Sequence, residues 1–201
     1  MADGTIKYVQ DIKVGDYVMS PKSEPVLVTS LGRGQEEMFE IKSKEKHHES
    51  FTVNKSHILS LIKEENEIIN IIVEDYLKFS ESQKQNIFRG YRVAIEYPYK
   101  EVSIDPYYFG LQLYNNFTNK YIISDFMINS RKIRLQVLAG IIDSNKYKNN
   151  ISEKENTLDM TFVEEQLAID TVKLLRSLGF RACKARPWYR TPGWRQCRIR
   201  N

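Results

Sequence analysis

The hydrophobic pattern of this chain changes about half-way along, and that change constrains the fold more than any other feature. In the first sixty residues, short β-branched and aromatic runs alternate with turns such as Val14-Gly15-Asp16 and Gly32-Arg33-Gly34, a pattern typical of small antiparallel sheets. Strands are predicted over residues 8–12, 17–19, 25–30, 38–42, 51–53, 58–62 and 91–96. A helix is predicted over 71–82. We therefore expect a largely all-β domain over residues 1–100.

From Asp105-Pro106 onward, apolar residues recur at helical spacing. This spacing predicts helices over 107–113, 131–142 and 164–178, with Asn129 or Ser130 capping the second and Gly179 ending the third. Strands are expected over 149–152 and 158–162, followed by a hairpin of 181–188 and 195–199. The order of helix, strands, helix and strands favours an α+β domain with an antiparallel sheet over residues 105–201.

Size and composition exclude several classes of protein. The chain has 201 residues, 41% of them hydrophobic and 28% charged, which suits one domain or two small ones and argues against disorder. It has no apolar run of membrane-spanning length and no signal-peptide pattern, so we expect a soluble intracellular protein, cytoplasmic or nuclear, with no membrane partner. Cys183 and Cys197 are too few for a disulfide framework or a zinc cluster, and we expect reduced thiols.

Charge is divided unevenly along the chain. Nine of the 30 Lys and Arg residues follow Asp170, and no acid does, so residues 1–170 hold 21 bases against 26 acids, a net charge of −5. Trp188, Tyr189 and Trp194 lie among the terminal cations, and arginine with aromatic rings is typical of nucleic-acid surfaces. A solvated charged face is the alternative. The predicted DNA-binding residues are Arg181, Lys184, Arg186, Arg190, Arg195 and Arg198.

Two motifs lie in the first sixty residues. One is the pair of segments MADGTIK and DIKVGDYVM within residues 1–19, and the other is Phe51-Thr52-Val53-Asn54-Lys55-Ser56-His57. They resemble the N-terminal strands and the Asn-x-x-His splicing motif of inteins, in the form found in vacuolar-ATPase-type examples. The resemblance implies an all-β Hint horseshoe. It also implies that His57 protonates the leaving amide nitrogen, while Asn54 and Thr52 bind the carbonyl oxygen or strain the scissile peptide. His47 and His48 are expected to have no role.

The same resemblance raises an expectation about the two splice junctions. An intein begins with a Cys or Ser nucleophile and ends with a His-Asn pair, whereas this chain begins with Met1 and ends with Arg200-Asn201. We therefore expect a Hint domain that lacks its first and last strands and cannot cleave either junction alone. The implied partners are host exteins or a complementary intein fragment.

A third motif lies in the second half of the chain. The run Leu138-Ala139-Gly140-Ile141-Ile142-Asp143-Ser144-Asn145 resembles the second helix of LAGLIDADG homing endonucleases of the dodecapeptide (DOD) type, and residues 108–116 resemble a degenerate first helix. The resemblance implies that Ala139 and Gly140 let two helices approach closely. It also implies double-stranded DNA as a partner and a structural role for Asp143.

Aligned on this motif, the two metal-binding aspartates of the family fall at Asn115 and Asn145. Active members use Mg²⁺, a hard cation that depends on anionic oxygen ligands. Both anionic ligands are missing here, so we expect no metal site, no cofactor and no DNA cleavage. The short segment between the two motifs also predicts that one half-domain of the endonuclease is deleted.

Three hypotheses follow from these patterns. The first is a truncated intein with a degenerate endonuclease domain, inactive in both reactions, with a variant in which the chain is the larger piece of a split intein. The second is a DNA-binding module without catalysis. The third is an unrelated all-β interaction module, which requires both resemblances to be accidental.

Overall fold

The computed structural model describes residues 1–43, 50–63, 67–87, 89–115, 121–144, 150–152, 157–185 and 195–200 of the chain. These residues divide into two compact units, one of Gly32–Arg92 and one that joins Met1–Leu31 to Val93–Asn201. The first unit contains the predicted splicing motif, and the second contains the two helices of the predicted endonuclease motif. The limits of the two compact units differ from those of the predicted domains. The domains 1–100 and 105–201 therefore stay a prediction.

The N-terminal segment of the larger unit forms one small hairpin. Strands β1 (Tyr17–Met19) and β2 (Pro25–Leu27) pair antiparallel, with Val18 opposite Val26. The predicted strand over 8–12 is wrong, because Val9–Asp11 form a 3₁₀ turn. The reason is local: Asp11 and Ile12 donate backbone hydrogen bonds back to Tyr8 and Val9, which closes the turn.

The smaller unit contains two antiparallel sheets. Strand β3 (Met38–Ile41) pairs with β4 (Phe51–Asn54), and β5 (Ile58–Ile62) lies between β6 (Ile68–Ile72) and β7 (Arg89–Gly90). Two short helices follow β6, namely α1 (Val73–Leu77) and α2 (Glu81–Ile87). Leu59 and Val73 are buried in this unit. The small antiparallel sheets agree with the predicted β-rich start of the chain.

Two predictions in this region need correction. The helix predicted over 71–82 starts too early, because Ile71 and Ile72 complete the β6 ladder against β5 and the helix begins at Val73. The strand predicted over 91–96 is not formed, since β7 ends at Gly90. Residues 93–100, here called the strap, are instead held on the larger unit by side chains and by one backbone hydrogen bond from Ile95 to the Ser177 carbonyl.

Arg134 is the main anchor of the strap. Its guanidinium is fully buried and donates hydrogen bonds to the backbone oxygens of Asn129 (2.8 Å), Ser177 (2.9 Å) and Ile95. Its Cζ lies 5.0 Å from the centre of the Tyr97 ring, a cation–π distance. Burial lowers the pKa of Arg134, although an arginine in a protein stays charged. The strap therefore depends on a buried cation that is satisfied by carbonyl oxygens.

The described residues in the rest of the larger unit form four helices and one sheet. The helices are α3 (Pro106–Asn115), α4 (Ser124–Met127), α5 (Arg131–Ser144) and α6 (Glu165–Ser177). The strands are β8 (Asn150–Ser152), β9 (Thr157–Phe162), β10 (Arg181–Ala185) and β11 (Arg195–Arg200). All pairs are antiparallel, in the order β10-β11-β9-β8. The α+β arrangement predicted for this half is therefore confirmed, and the horseshoe of the first half stays a prediction.

Helix ends in this unit follow the residues that the sequence marks. The Asp105 carboxylate accepts the Tyr108 N–H at 2.8 Å and caps α3, with Pro106 in the first helical position. Ser130 accepts the Ile133 N–H through its Oγ at 3.5 Å at the start of α5. At the end of α6, Gly179 takes a φ of +89°, and Phe180 donates to the Leu175 carbonyl at 3.0 Å, as in a Schellman stop.

The hydrophobic core of the larger unit lies between these helices and the sheet. The rings of Phe109 and Phe126 stack with their centres 4.0 Å apart. Strand residues Met160, Phe162 and Cys197 are fully buried against α6 residues such as Leu174. Among the described residues, no helix is both long and apolar enough to cross a membrane.

Candidate functional site

The three residues of the predicted splicing motif lie around one tight turn in the smaller unit. Thr52 and Asn54 are two residues apart on β4 and so share a face of that strand. His57 precedes β5, and its N–H donates to the Asn54 carbonyl at 3.2 Å. The first turn of α1 fixes this loop, because Val73 donates to the His57 carbonyl at 3.0 Å. The structure thus brings Thr52, Asn54 and His57 together.

The His57 side chain is exposed. Its imidazole makes no hydrogen bond or ion pair to any residue in the described part of the chain. An exposed imidazole that no described side chain engages can take up a proton and release it to a bound group. The geometry is therefore compatible with a proton donor.

Asn54 has a partner that the sequence pattern does not reveal. Its Nδ2 donates to Glu36 Oε2 at 3.0 Å and to the Ser56 hydroxyl at 3.0 Å. Ser56 in turn donates to Glu36 Oε2 at 3.3 Å. Glu36 lies 18 residues before Asn54 in an acidic pair with no motif of its own, so spacing alone offers no signal for it.

A second carboxylate lies on the same hairpin. Glu40 is opposite Thr52 in the register of β3 and β4. Its Oε1 accepts the Ser50 hydroxyl at 2.6 Å, and this bond, followed by Lys42, lowers the pKa of Glu40. Glu40 therefore stays ionised beside Thr52 at neutral pH.

Residues 1–89 match the family model described as Hom_end-associated Hint, a Hint domain associated with homing endonucleases. The match supports an intein Hint domain in this segment. It covers the predicted motif at Thr52, Asn54 and His57, and it ends before the strap and the helices of the larger unit. No curated protein matches the chain.

The second candidate site is the helix pair α3 and α5, which lies outside residues 1–89, here called the Hint segment. Gly110 and Gly140 face each other where the two helices meet. A Cβ built on Gly140 would lie 2.9 Å from Gly110 Cα and closer still to the Tyr107 carbonyl oxygen. A Cβ built on Gly110 would lie 3.1 Å from Gly140 Cα and closer still to the Val137 carbonyl oxygen. The helices approach at a distance that only glycine permits.

The residues around the two glycines correspond at a constant offset of 30 positions. Tyr107 lies against Gly140 as Val137 lies against Gly110, and the Leu111 and Ile141 amides occupy matching places. The pair is therefore locally two-fold symmetric. Of the two residues predicted to allow the close approach, Gly140 lies at the contact, against Gly110, whereas Ala139 is exposed. Successive helix residues point about 100° apart, which is why Ala139 and Gly140 cannot both face α3.

The same offset relates the two positions of the degenerate metal site. Asn115 is the last residue of α3, and α5 ends at Ser144, one residue before Asn145, which lies outside the described residues. Asp143 accepts the Tyr107 hydroxyl at 2.8 Å, and this hydrogen bond raises the pKa of Tyr107. The described residues contain no group of three His, Cys, Asp or Glu residues that could hold a metal. Two neutral amides do not fit a site for Mg²⁺, which needs anionic ligands.

The predicted basic hairpin is only partly within the described residues. Strands β10 and β11 pair with Cys183 opposite Arg198 and Lys184 opposite Cys197, and Arg186 and Arg190 lie outside the described residues. By strand alternation, Arg181 and Arg198 share one face, whereas Lys184 and Arg195 belong to the other. Lys184 forms an ion pair with Glu165 at the start of α6. The DNA-binding role of these residues stays a prediction, and the ion pair engages the Lys184 ammonium with an acid of this chain.

Proposed function

We propose that the Hint segment supports the first step of intein protein splicing, with His57 as the proton donor. In this step, the thiol of a junction cysteine attacks the preceding carbonyl carbon and loses its proton, the C–N bond breaks, and the acyl group passes to sulfur as a thioester. His57 supplies the proton that the leaving nitrogen requires. Thr52 and Asn54 hold the peptide at the same turn.

The observation that carries this proposal is the coincidence of the family match with the local geometry. The matched range includes β4 and β5, and the turn between them ties the His57 backbone N–H to the Asn54 carbonyl and leaves the imidazole exposed. The family match over this turn favours splicing chemistry over the unrelated all-β interaction module.

The proposal is tested by supplying the junction residues in trans. The purified chain is mixed with a synthetic N-terminal fragment that carries an extein segment and a junction cysteine, and with a C-terminal fragment that ends in His-Asn. Thioester formation is measured as extein release by hydroxylamine. Release with the wild type is the expected result, and no release with any fragment length would remove the proposal.

We further propose that the larger unit is related to LAGLIDADG endonucleases but does not cleave DNA. The helix pair with Gly110 and Gly140 supports the relationship, and the amides at Asn115 and Asn145 support the lack of cleavage. Incubation of the chain with a supercoiled plasmid that carries an intein-free target allele, with and without Mg²⁺, tests this. Metal-dependent nicking would contradict it.

A second function, DNA binding without catalysis, is favoured by one observation. By strand register, Arg181 and Arg198 belong to the sheet face opposite the one that packs Met160 and Phe162 into the core, and Asp159 and the buried Cys183 belong to the same face as the two arginines. Sheets can contact duplex DNA through such a face, with cations on the phosphates. We expect binding to a random duplex with an affinity that falls steeply as the salt concentration rises. An affinity that does not change with the salt concentration would argue against DNA binding through phosphate contacts.

A further inference from the structure

The hairpin of β3 and β4 carries acidic side chains that do not belong to the splicing motif but contact or oppose its residues. Thr52 and Asn54 occupy one face of β4, opposite Glu40 and Met38 in register. Glu36 lies two residues before Met38, and its carboxylate reaches the Asn54 amide. A glutamate is thus bonded to a residue on which the proposed reaction depends.

The bonding pattern fixes which way the Asn54 carboxamide points. An ionised carboxylate only accepts hydrogen bonds, so the nitrogen of the carboxamide must face Glu36. The second hydrogen of Nδ2 goes to Ser56, which donates to the same Glu36 oxygen and closes a ring of three residues. Both Asn54 amide hydrogens are therefore used, and its Oδ1 is left as an acceptor.

This orientation gives Thr52 and Asn54 different hydrogen-bonding roles, one as a donor and the other as an acceptor. With both hydrogens engaged, Asn54 has no N–H to offer to a carbonyl oxygen. The Thr52 hydroxyl makes no hydrogen bond to another described residue and can donate one. A scissile peptide presents both an oxygen that accepts and an N–H that donates, so it matches one donor and one acceptor on the same strand face.

We propose, on the basis of the splicing function above, that Glu36 is a positioning residue for the first acyl shift. Glu36 holds the Asn54 carboxamide so that Oδ1 accepts the N–H of the scissile peptide, and Thr52 donates to its carbonyl oxygen. The nitrogen is thereby held beside His57, three residues further along the turn. Asn54 then orients the peptide and does not stabilise the oxyanion.

The orientation is tested by NMR on the full chain. The Asn54 side-chain amide protons are followed in the wild type, in Glu36→Gln and in Glu37→Gln, a neighbouring exposed acid that makes no hydrogen bond to a described side chain. Both protons should shift in Glu36→Gln and stay in place in Glu37→Gln. Unchanged chemical shifts of the Asn54 amide protons in Glu36→Gln would overturn the proposal.

The role in the reaction is tested by the hydroxylamine assay with the complementary fragments. We expect Thr52→Ala to slow release about 100-fold, as for the loss of an oxyanion donor, Glu36→Gln about tenfold, and Glu37→Gln not at all. Glu36→Asp, which keeps the acceptor, should recover part of the rate. A wild-type rate in Glu36→Gln would refute the positioning role while leaving the splicing function intact. No release by the wild type refutes the splicing function itself, and the role of Glu36 falls with it, whatever the NMR arm records.

Discussion

Gly110 and Gly140 meet face to face at the contact between α3 and α5, and neither position has room for a Cβ atom. A Cβ on Gly140 would lie 2.7 Å from the Leu111 nitrogen as well as 2.9 Å from Gly110 Cα. Real Cβ atoms essentially never approach backbone atoms this closely, so the helices would have to separate. The core around Phe109 and Val137 depends on that contact.

Substitution of either glycine by alanine should therefore destabilise the chain. Overpacking of a tight contact typically costs about 1–3 kcal/mol, and we expect the upper end for Gly110→Ala and Gly140→Ala despite the roughly 1 kcal/mol that alanine gains in a helix. Urea unfolding measures the change. The matched control is Ala139→Ser at the exposed neighbouring position, which should change stability by less than about 0.5 kcal/mol. Equal stability of all three variants would contradict the close packing.

Arg134→Met should be among the most destabilising substitutions in the larger unit. It leaves the carbonyl oxygens of Asn129 and Ile95 without their buried donor, while the Ser177 carbonyl keeps only the Ile95 N–H, and each carbonyl left without a donor costs about 1–3 kcal/mol. We expect a loss of at least about 3 kcal/mol in the free energy of unfolding. Lys132→Met, at an exposed position of the same helix, is the control. Faster proteolysis within the strap should accompany the loss, and an Arg134→Met chain as stable as the control would show that the strap does not need its anchor.

The two cysteines should be slow to react in the folded chain. Cys183 and Cys197 are both buried and unbridged, and burial strongly raises the pKa of Cys197. A thiol whose pKa is raised by folding stabilises the folded state fully below its unfolded pKa of about 8.5, and that contribution is lost as the pH rises further. Labelling with a thiol reagent at pH 8 should therefore be fast only after unfolding, and stability should decline above about pH 8.5. Rapid labelling of Cys197 in the folded chain would contradict its burial.

Substitutions on the two faces of the β10–β11 hairpin should separate DNA binding from packing. Arg198→Gln should weaken binding to a random duplex and lower the salt dependence by roughly one ion, because Arg198 shares a face with Arg181. Lys184→Gln should leave binding unchanged, because Lys184 pairs with Glu165 on the other face. Fluorescence anisotropy at several salt concentrations measures both. Weaker binding by Lys184→Gln and unchanged binding by Arg198→Gln would show that the sheet face of Arg181 and Arg198 is not the one that binds DNA.

The helices α3, α5 and α6 and the terminal hairpin were predictable because their signals are local, whereas α4 was not predicted. The stop at Gly179 and the β10–β11 pair follow from short sequence patterns, and the structure confirms both. The run Ile68–Ile72 misled the prediction, because five residues that are mostly isoleucine suit a strand and the start of a helix equally well. Pairing with β5, a tertiary contact, decides in favour of the strand.

Contacts between residues distant in sequence were not predictable. Glu36 and Asn54 belong to different strands of a hairpin, and nothing in the spacing shows that one carboxylate takes both an amide and a hydroxyl. Arg134 looks like an ordinary helix cation until the strap and Ser177 are seen to surround it. The sequence pattern indicated Gly140 together with Ala139, but its partner Gly110 is seen only in the structure.

The central claim, that the turn of Thr52, Asn54 and His57 belongs to a splicing site, is tested most directly by one comparison. The rate of hydroxylamine-dependent extein release is measured for the full chain with its complementary fragments, in the wild type and in His57→Ala. We predict release by the wild type and a decrease of 100-fold or more in His57→Ala, since a general acid contributes roughly 10²–10⁴ in rate. Equal rates in the two proteins, or no release in either, would contradict the claim.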